Sequence, residues 1–187
     1  FINHDVFEAW HNVTVTFGAT NAKLYINGQL QDTEAVGTAA NLGVNALVGR
    51  YSSTGSAFAV DGLLSNFAIF NSELSASQVS TLFNFGTPET NISFSPIHNW
   101  KLDNLTTGLN DTGSLASNNG TAGSVNGTGP VQESASVAVV PSWKIPNELP
   151  IPTVNYKTAL NFDGNDYISM SGVTLSDDFA FSFWFYT

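Results

Sequence analysis

Residues 9–33 read AWHNVTVTFGATNAKLYINGQLQDT. From Trp10 to Phe17 apolar and polar side chains alternate, with Val13, Val15 and Phe17 on one side and Asn12, Thr14 and Thr16 on the other. Successive side chains of a strand point to opposite faces, so this is the pattern of a half-buried strand. Gly18–Ala22 turn the chain, and Leu24 and Ile26 then share one face of a second strand. Asn27-Gly28 follows, and both residues tolerate positive φ, which predicts a tight hairpin. Two consecutive hairpins in 25 residues predict an antiparallel, all-β fold.

The composition agrees. Of 187 residues, 42% are hydrophobic and only 11% charged, with 14 Phe, 4 Trp, 5 Tyr and a single Met. Aromatic and β-branched residues fill the periodic stretches, and Gly, Asn, Ser and Thr separate them. The formal charge of −10 predicts repulsion from nucleic acid and from anionic membrane surfaces, and leaves carboxylates for Ca2+. The absence of Cys removes disulfides, thiolate chemistry and Cys-based zinc sites. No apolar run approaches the roughly 18 residues of a membrane-spanning helix, so no membrane insertion is expected. The chain begins at Phe1 without an initiator Met or a signal peptide, and reads as a piece of a longer polypeptide.

Further strands are predicted at Asn45–Tyr51, Asp61–Asn71, around Trp100 and Leu102, near Gly120–Val125, near Val139 and in three runs after Lys157. One short helix is predicted near residues 76–84. Ser75 and Gln78 form a capping box, Val79, Leu82 and Phe83 an apolar stripe, and Gly86 the stop. Asn104–Pro130 reads as loop, and Pro141, Pro146, Pro150 and Pro152 punctuate an extended connector. The last run, FAFSFWFY (179–186), is apolar on both faces, which predicts a strand inside a sandwich. Left unpaired, it would expose a row of backbone groups and several Phe rings.

These residues carry a family resemblance. The stretches AWHNVTVTFGATNAKLYINGQLQDT and LVGRYSSTGSAFAVDGLLSNFAIFNSELSASQVSTLFNFG (47–86) resemble the second half of a laminin-G-like, concanavalin A-like jelly-roll domain. ALNFDGNDYI (159–168) and FAFSFWFY resemble the first half, and NWKLDNLTTGLNDTGSLASNNGTA (99–122) is similar to its opening strand and Asn/Gly loop. The order is inverted. Residues 1–90 correspond to the C-terminal half, 91–157 to the opening strand, loop and Pro-rich connector, and 158–187 to N-terminal strands. Two arrangements fit: a window cut from a tandem array of domains, or a circularly permuted sandwich closed within one chain or between neighbours. With only ten or eleven strand candidates, fewer than a full jelly roll of this type, the window is preferred.

The resemblance implies Ca2+ near Asp103, Asp163 and Asp166, held by carboxylates and carbonyls, against the plainer reading of these aspartates as turn and loop formers. Relatives carry an acidic pair after the "DG" of the strand at 61–71; here Ser65 and Asn66 stand there, so a ligand is lost. Glucanases of this fold use an E-x-D-x-E run on one strand face, and none occurs. Asp177-Asp178 read as a turn, and His4, His11 and His98 have no metal-ligand spacing or nearby nucleophile, so no enzyme is expected. Tyr51, Trp100 and Trp143 are candidate sugar-stacking rings, against packing roles for each. N-x-S/T sequons at Asn12, Asn91, Asn104, Asn119 and Asn126 are those an Asn/Thr-rich chain produces by chance.

The expected function is a structural or adhesive module of a larger tandem-domain protein on a virion or outside the cell, with neighbouring copies or repeats as partners. The alternative is a Ca2+-assisted module that binds cell-surface glycans.

Overall fold

A computed structural model describes residues 10–37, 43–51, 59–86, 92–133, 158–175 and 178–186. The strands are β1 (Trp10–Phe17), β2 (Asn21–Ile26), β3 (Gln29–Ala35), β4 (Gly43–Val48), β5 (Asp61–Phe70), β6 (His98–Trp100), β7 (Thr121–Ser124), β8 (Val131–Glu133), β9 (Ala159–Asp163), β10 (Asp166–Thr174) and β11 (Phe179–Tyr186). The helix α1 spans Ala76–Phe83, between β5 and β6. The strand expected near Val139 and the Pro-rich connector lie outside the described residues.

The strands form an antiparallel β-sandwich. The large sheet runs β3-β2-β1-β11-β5-β9-β8, with β6 also paired to β5, and the small sheet runs β4-β10-β7. Strand β11 is paired on both sides. Its residues meet β1 in unbroken register from Trp10↔Tyr186 to Phe17↔Phe179, and β5 lies on its other edge. Both rows of β11 backbone groups are therefore used within this chain.

Between the sheets lies the main core, built from Leu64, Trp100, Leu102, Leu160, Phe162, Ile168 and Met170, with Phe181, Phe183 and Phe185 packed against it. On the other side of the large sheet a third layer forms around α1. Val79 and Leu82 of the helix pack with Tyr25, Phe70, Leu74 and Ala180. The helix starts as its sequence dictates, with Ser75 Oγ accepting from the Gln78 amide and the Gln78 side chain accepting from the Ser75 amide. Its end differs from expectation. Asn84, not Gly86, takes the left-handed cap position, at φ 41°, a conformation Asn tolerates.

The helix layer covers the polar side of β1, where alternation alone predicts one face of a half-buried strand. Asn12, Thr14 and Thr16 are fully buried, while Val13, Val15 and Phe17 are half-buried. Buried polar side chains need partners, and these two strands supply them laterally. The Thr14 hydroxyl donates to Ser182 Oγ at 2.9 Å and the Asn12 carboxamide donates to the same oxygen at 3.1 Å. Alternation located the strand correctly but could not say that both of its faces would be covered.

A bulge tunes β5. Ser182 faces Ala68 while Trp184 faces Ser65, so β5 carries one extra residue there. Asn66 sits in it at φ 48°, and its amide donates to the Lys101 carbonyl at 2.8 Å.

The β1–β11 register predicts a covalent test. Thr14→Cys combined with Ser182→Cys should form a disulfide under mild oxidation, because the two hydroxyl oxygens already lie 2.9 Å apart. The expected product is a monomer with altered mobility on a non-reducing gel. A ladder of disulfide-linked multimers would mean that β1 and β11 meet between copies.

Candidate functional site

The start of β5, at Asp61-Gly62, and the Asp163–Asp166 turn meet beside the end of β4. The Val60 amide donates to the Gly49 carbonyl at 2.8 Å, and the Gly164 amide donates to the Val60 carbonyl at 3.0 Å. Arg50, 5% exposed, donates from Nη1 to the Gly164 carbonyl at 2.6 Å. Gly49 has φ 94°, and a Cβ there would lie 2.5 Å from Phe162 Cδ1, so no other residue fits without displacement.

This junction absorbs two of the three aspartates considered for Ca2+. Asp166 is buried and its Oδ2 accepts from the Asp163 amide at 3.2 Å. Asp163 Oδ1 accepts from the Asn165 amide at 2.9 Å. Asp103 Oδ1, on the loop after β6, accepts from the Asn104 carboxamide at 2.8 Å. Among the described residues no group of three or more His, Asp or Glu side chains is placed to hold a metal. A Ca2+ site requires about six to eight oxygens, usually with several carboxylates. One oxygen of each of Asp103, Asp163 and Asp166 accepts a local hydrogen bond, and the three do not form such a group among the described residues.

The aromatic candidates separate. Trp100 is fully buried, stacks between Phe67 and His98, and donates from its indole to the Asn118 carbonyl at 2.9 Å. It has no face for a sugar, which corrects that expectation: a Trp on a three-residue strand in the middle of the core packs from both sides. Tyr51 is 79% exposed at the end of β4. Trp143 lies outside the described residues.

A cluster with no sequence signature lies next to Trp100. His98 Nδ1 is 2.7 Å from Asp111 Oδ2, and both side chains are buried. Asp111 Oδ1 accepts from the amides of Asn99 at 3.0 Å and Gly113 at 2.9 Å. Burial is the largest influence on the Asp111 carboxyl and pushes it up. The Asn99 amide, the His98 ring and the Gly113 amide together outweigh it, and the net direction is below the ordinary carboxylate value. The pair thus fastens the 111–114 turn to β6. The other His98 nitrogen faces the Asn118 carboxamide at 3.5 Å, not a hydroxyl nucleophile. Histidine spacing could not have revealed it, because Asp111 is 13 residues away in an Asn/Gly-rich loop.

Outside this pair runs an open groove of about 400 Å3, lined by Ile92, Ser95, Pro96, Asn99, Lys101, Thr112, Gly113 and Ser114. Asn99 Nδ2 donates to Thr112 Oγ1 at 3.2 Å, and Thr112 Oγ1 donates back to the Asn99 carbonyl at 3.0 Å. A second cavity of about 270 Å3, apolar and lined by Val48, Val60, Leu64, Phe67, Phe181 and Phe183 among others, lies between the two sheets.

Residues 5–80 match the model of the Laminin G 3 family, described as the concanavalin A-like lectin/glucanases superfamily. The likeness covers less than half of the chain. The laminin-G-like match covers β1 to β5 and the first turns of α1, and the fold around it is the antiparallel sandwich expected of that superfamily. No curated protein and no solved structure matches the chain. Among the described residues no helix is long and apolar enough to cross a membrane.

The Asp111 carboxyl generates a pH prediction. Its folded value is depressed, so its contribution is present above the unfolded value of about 3.9 and is lost as pH falls through the folded value. Asp111→Asn should cost about 1–3 kcal/mol at neutral pH, because amides and His98 lose a charged acceptor. The gap between the two proteins should narrow on acidification, read by urea unfolding at pH 7 and at about pH 3. A gap independent of pH would overturn this assignment.

Proposed function

We propose that the chain is a non-catalytic structural and adhesive module of a larger tandem-domain protein at a virion or extracellular surface. The observation that supports this best is the use made of its buried polar groups. Arg50, Asp166 and Asp111 bind backbone groups, and the His98–Asp111 pair ends on an amide at its other nitrogen. Acid–base catalysis needs such groups within reach of a substrate proton, and nucleophilic catalysis needs a hydroxyl or thiol beside the base. Here they hold loops on a rigid sandwich, and loops carried by a rigid scaffold are the usual place for recognition.

In this reading the laminin-G-like match supports a structural or carbohydrate-binding module. Neighbouring copies or repeats act as partners and supply avidity to sites that are individually weak. The charge of −10 keeps nucleic acid and anionic membranes away. Glycan binding as a second reading draws on the groove beside β6, where hydroxyls and a carboxamide gather without a metal-binding carboxylate.

Two measurements test the proposal. Incubation with β-glucans and other polysaccharides should release no reducing sugar; steady release that scales with protein concentration would overturn the non-catalytic reading. Addition of EDTA should leave the melting temperature unchanged within about 1 °C, since a ligand present at 100 times its Kd would add about 2.7 kcal/mol. A larger drop, restored by Ca2+, would return Asp103, Asp163 and Asp166 to consideration.

A further inference from the structure

Asparagine is a thermolabile residue, and a glycine after it leaves its carboxamide open to the next backbone nitrogen, because no Cβ shields that nitrogen and the chain turns freely there. Three Asn-Gly pairs occur in the sequence: Asn27-Gly28, Asn119-Gly120 and Asn126-Gly127. The fold treats them differently. The first closes the β2–β3 hairpin. Asn27 Oδ1 accepts from the Asn12 amide at 2.9 Å, and Asn27 Nδ2 lies 3.1 Å from His11 Nδ1, so both ends of the carboxamide are held. In the second pair, Asn119 Oδ1 accepts from the Asp111 amide at 3.0 Å. The Gly120 amide donates to the Leu109 carbonyl at 2.8 Å, which commits the nitrogen that would attack.

The third pair lies in the turn between β7 and β8, where the chain passes from the small sheet to the large one. The base of this turn is fixed. The Val125 amide donates to the Asn165 carbonyl at 3.0 Å, Ser124 Oγ donates to the same oxygen at 3.3 Å, and Gly129 and Pro130 are buried. The tip is not fixed: Asn126, Gly127 and Thr128 are exposed. The Asn126 amide donates to Ser124 Oγ at 3.2 Å. Among the described residues no hydrogen bond holds the Asn126 carboxamide or the Gly127 amide. Gly127 has φ 139°, a backbone that glycine adopts readily and other residues rarely do. The nearest atom to the place of a Cβ on it is Ser124 Oγ, at 3.6 Å, so its surroundings are open.

We propose that Asn126 is a site of spontaneous deamidation, with the Gly127 nitrogen attacking the side-chain carbonyl carbon of Asn126. A bond forms between Gly127 N and Asn126 Cγ, the Cγ–Nδ2 bond breaks, and ammonia leaves with the proton that Gly127 N gives up. Water then opens the cyclic imide. Opening at Cγ leaves an aspartate; opening at the main-chain carbonyl leaves an isoaspartate, whose main chain runs through Cβ and Cγ and is longer by a methylene. The two steps need water alone as co-reactant, and no group is oxidised or reduced. Either product adds negative charge to the exposed tip of the turn. The fixed base of the turn, at Val125 and Gly129, should confine the change in chain path to that tip. This reactivity is independent of whether the chain is a binding module.

The test is incubation of the folded full chain in warm, mildly alkaline buffer, followed by proteolysis and fragment mass spectrometry across all three pairs. Asn126 should gain the mass difference between a carboxyl and a carboxamide at least about tenfold faster than Asn27 or Asn119, which must first break hydrogen bonds. A more acidic species should grow in step on anion exchange. Part of the product should resist a protease that cuts before aspartate, the mark of the isoaspartyl form. Asn126→Gln should remove the acidic species and, because Asn126 is exposed, keep the wild-type melting temperature. In concentrated urea the three pairs should react at similar rates, since the hydrogen bonds that separate them are gone. The same preference for Asn126 in urea as in buffer would overturn the role given to the fold. Loss of ammonia at Asn27 or Asn119 as fast as at Asn126 in the folded chain, or an Asn126 that stays intact, would overturn the site.

Discussion

The ladder between β1 and β11 is the contact on which the rest of the sandwich depends. It joins eight residues of one end of the described chain to eight of the other, and it makes β11 a central strand. Through β11 the sheet continues to β5, and through β5 to β9 and β6. Without that ladder β1 to β3 would be a separate ribbon with both edges open, and the Phe181–Phe183–Phe185 row would lose its flanking strand. Such a ribbon has too little buried surface to hold itself together in water.

The second constraint is that the large sheet has no free face along β11. Trp184, Ala180 and Ser182 are buried toward the helix layer while the Phe row packs toward the small sheet. This is why Asn and Thr can occupy buried positions on β1. Their hydrogen-bonding groups meet those of Ser182 across the ladder, so the cost of removing them from water is offset locally. Thr16 is the exception, with a buried hydroxyl that has no partner among the described residues.

The strands and the helix were legible because each is written in local chemistry. Alternation in WHNVTVTF, the Asn27-Gly28 turn and the Ser75–Gln78 box all report on neighbours within a few residues, and the structure has β1, the β2–β3 turn and α1 there. What the chain does with those elements was less legible. The covering of the polar side of β1 depends on α1, which begins only at Ala76, and the burial of Trp100 depends on His98, Phe67 and a carbonyl at Asn118. The aspartates illustrate the same limit. Asp163 and Asp166 in "FDGND" read as ligands or as turn formers, and the backbone amides that bond one oxygen of each are not marked by any residue pattern. The buried His98–Asp111 pair and the groove beside it arise from contacts between β6 and a loop of low periodicity, where no residue pattern marks a partner.

The long reach of the ladder bears on how the chain folds. Asn12 and Ser182, bonded side chain to side chain, are 170 positions apart. Closing so large a loop costs entropy before any contact rewards it, and topologies dominated by such pairings fold on the millisecond-to-second scale or slower. During synthesis β1 and β5 are made long before β11 and must wait with one edge each unpaired. The polar side chains of β1 and the net negative charge then serve a kinetic purpose: they discourage these waiting edges from joining those of another nascent chain.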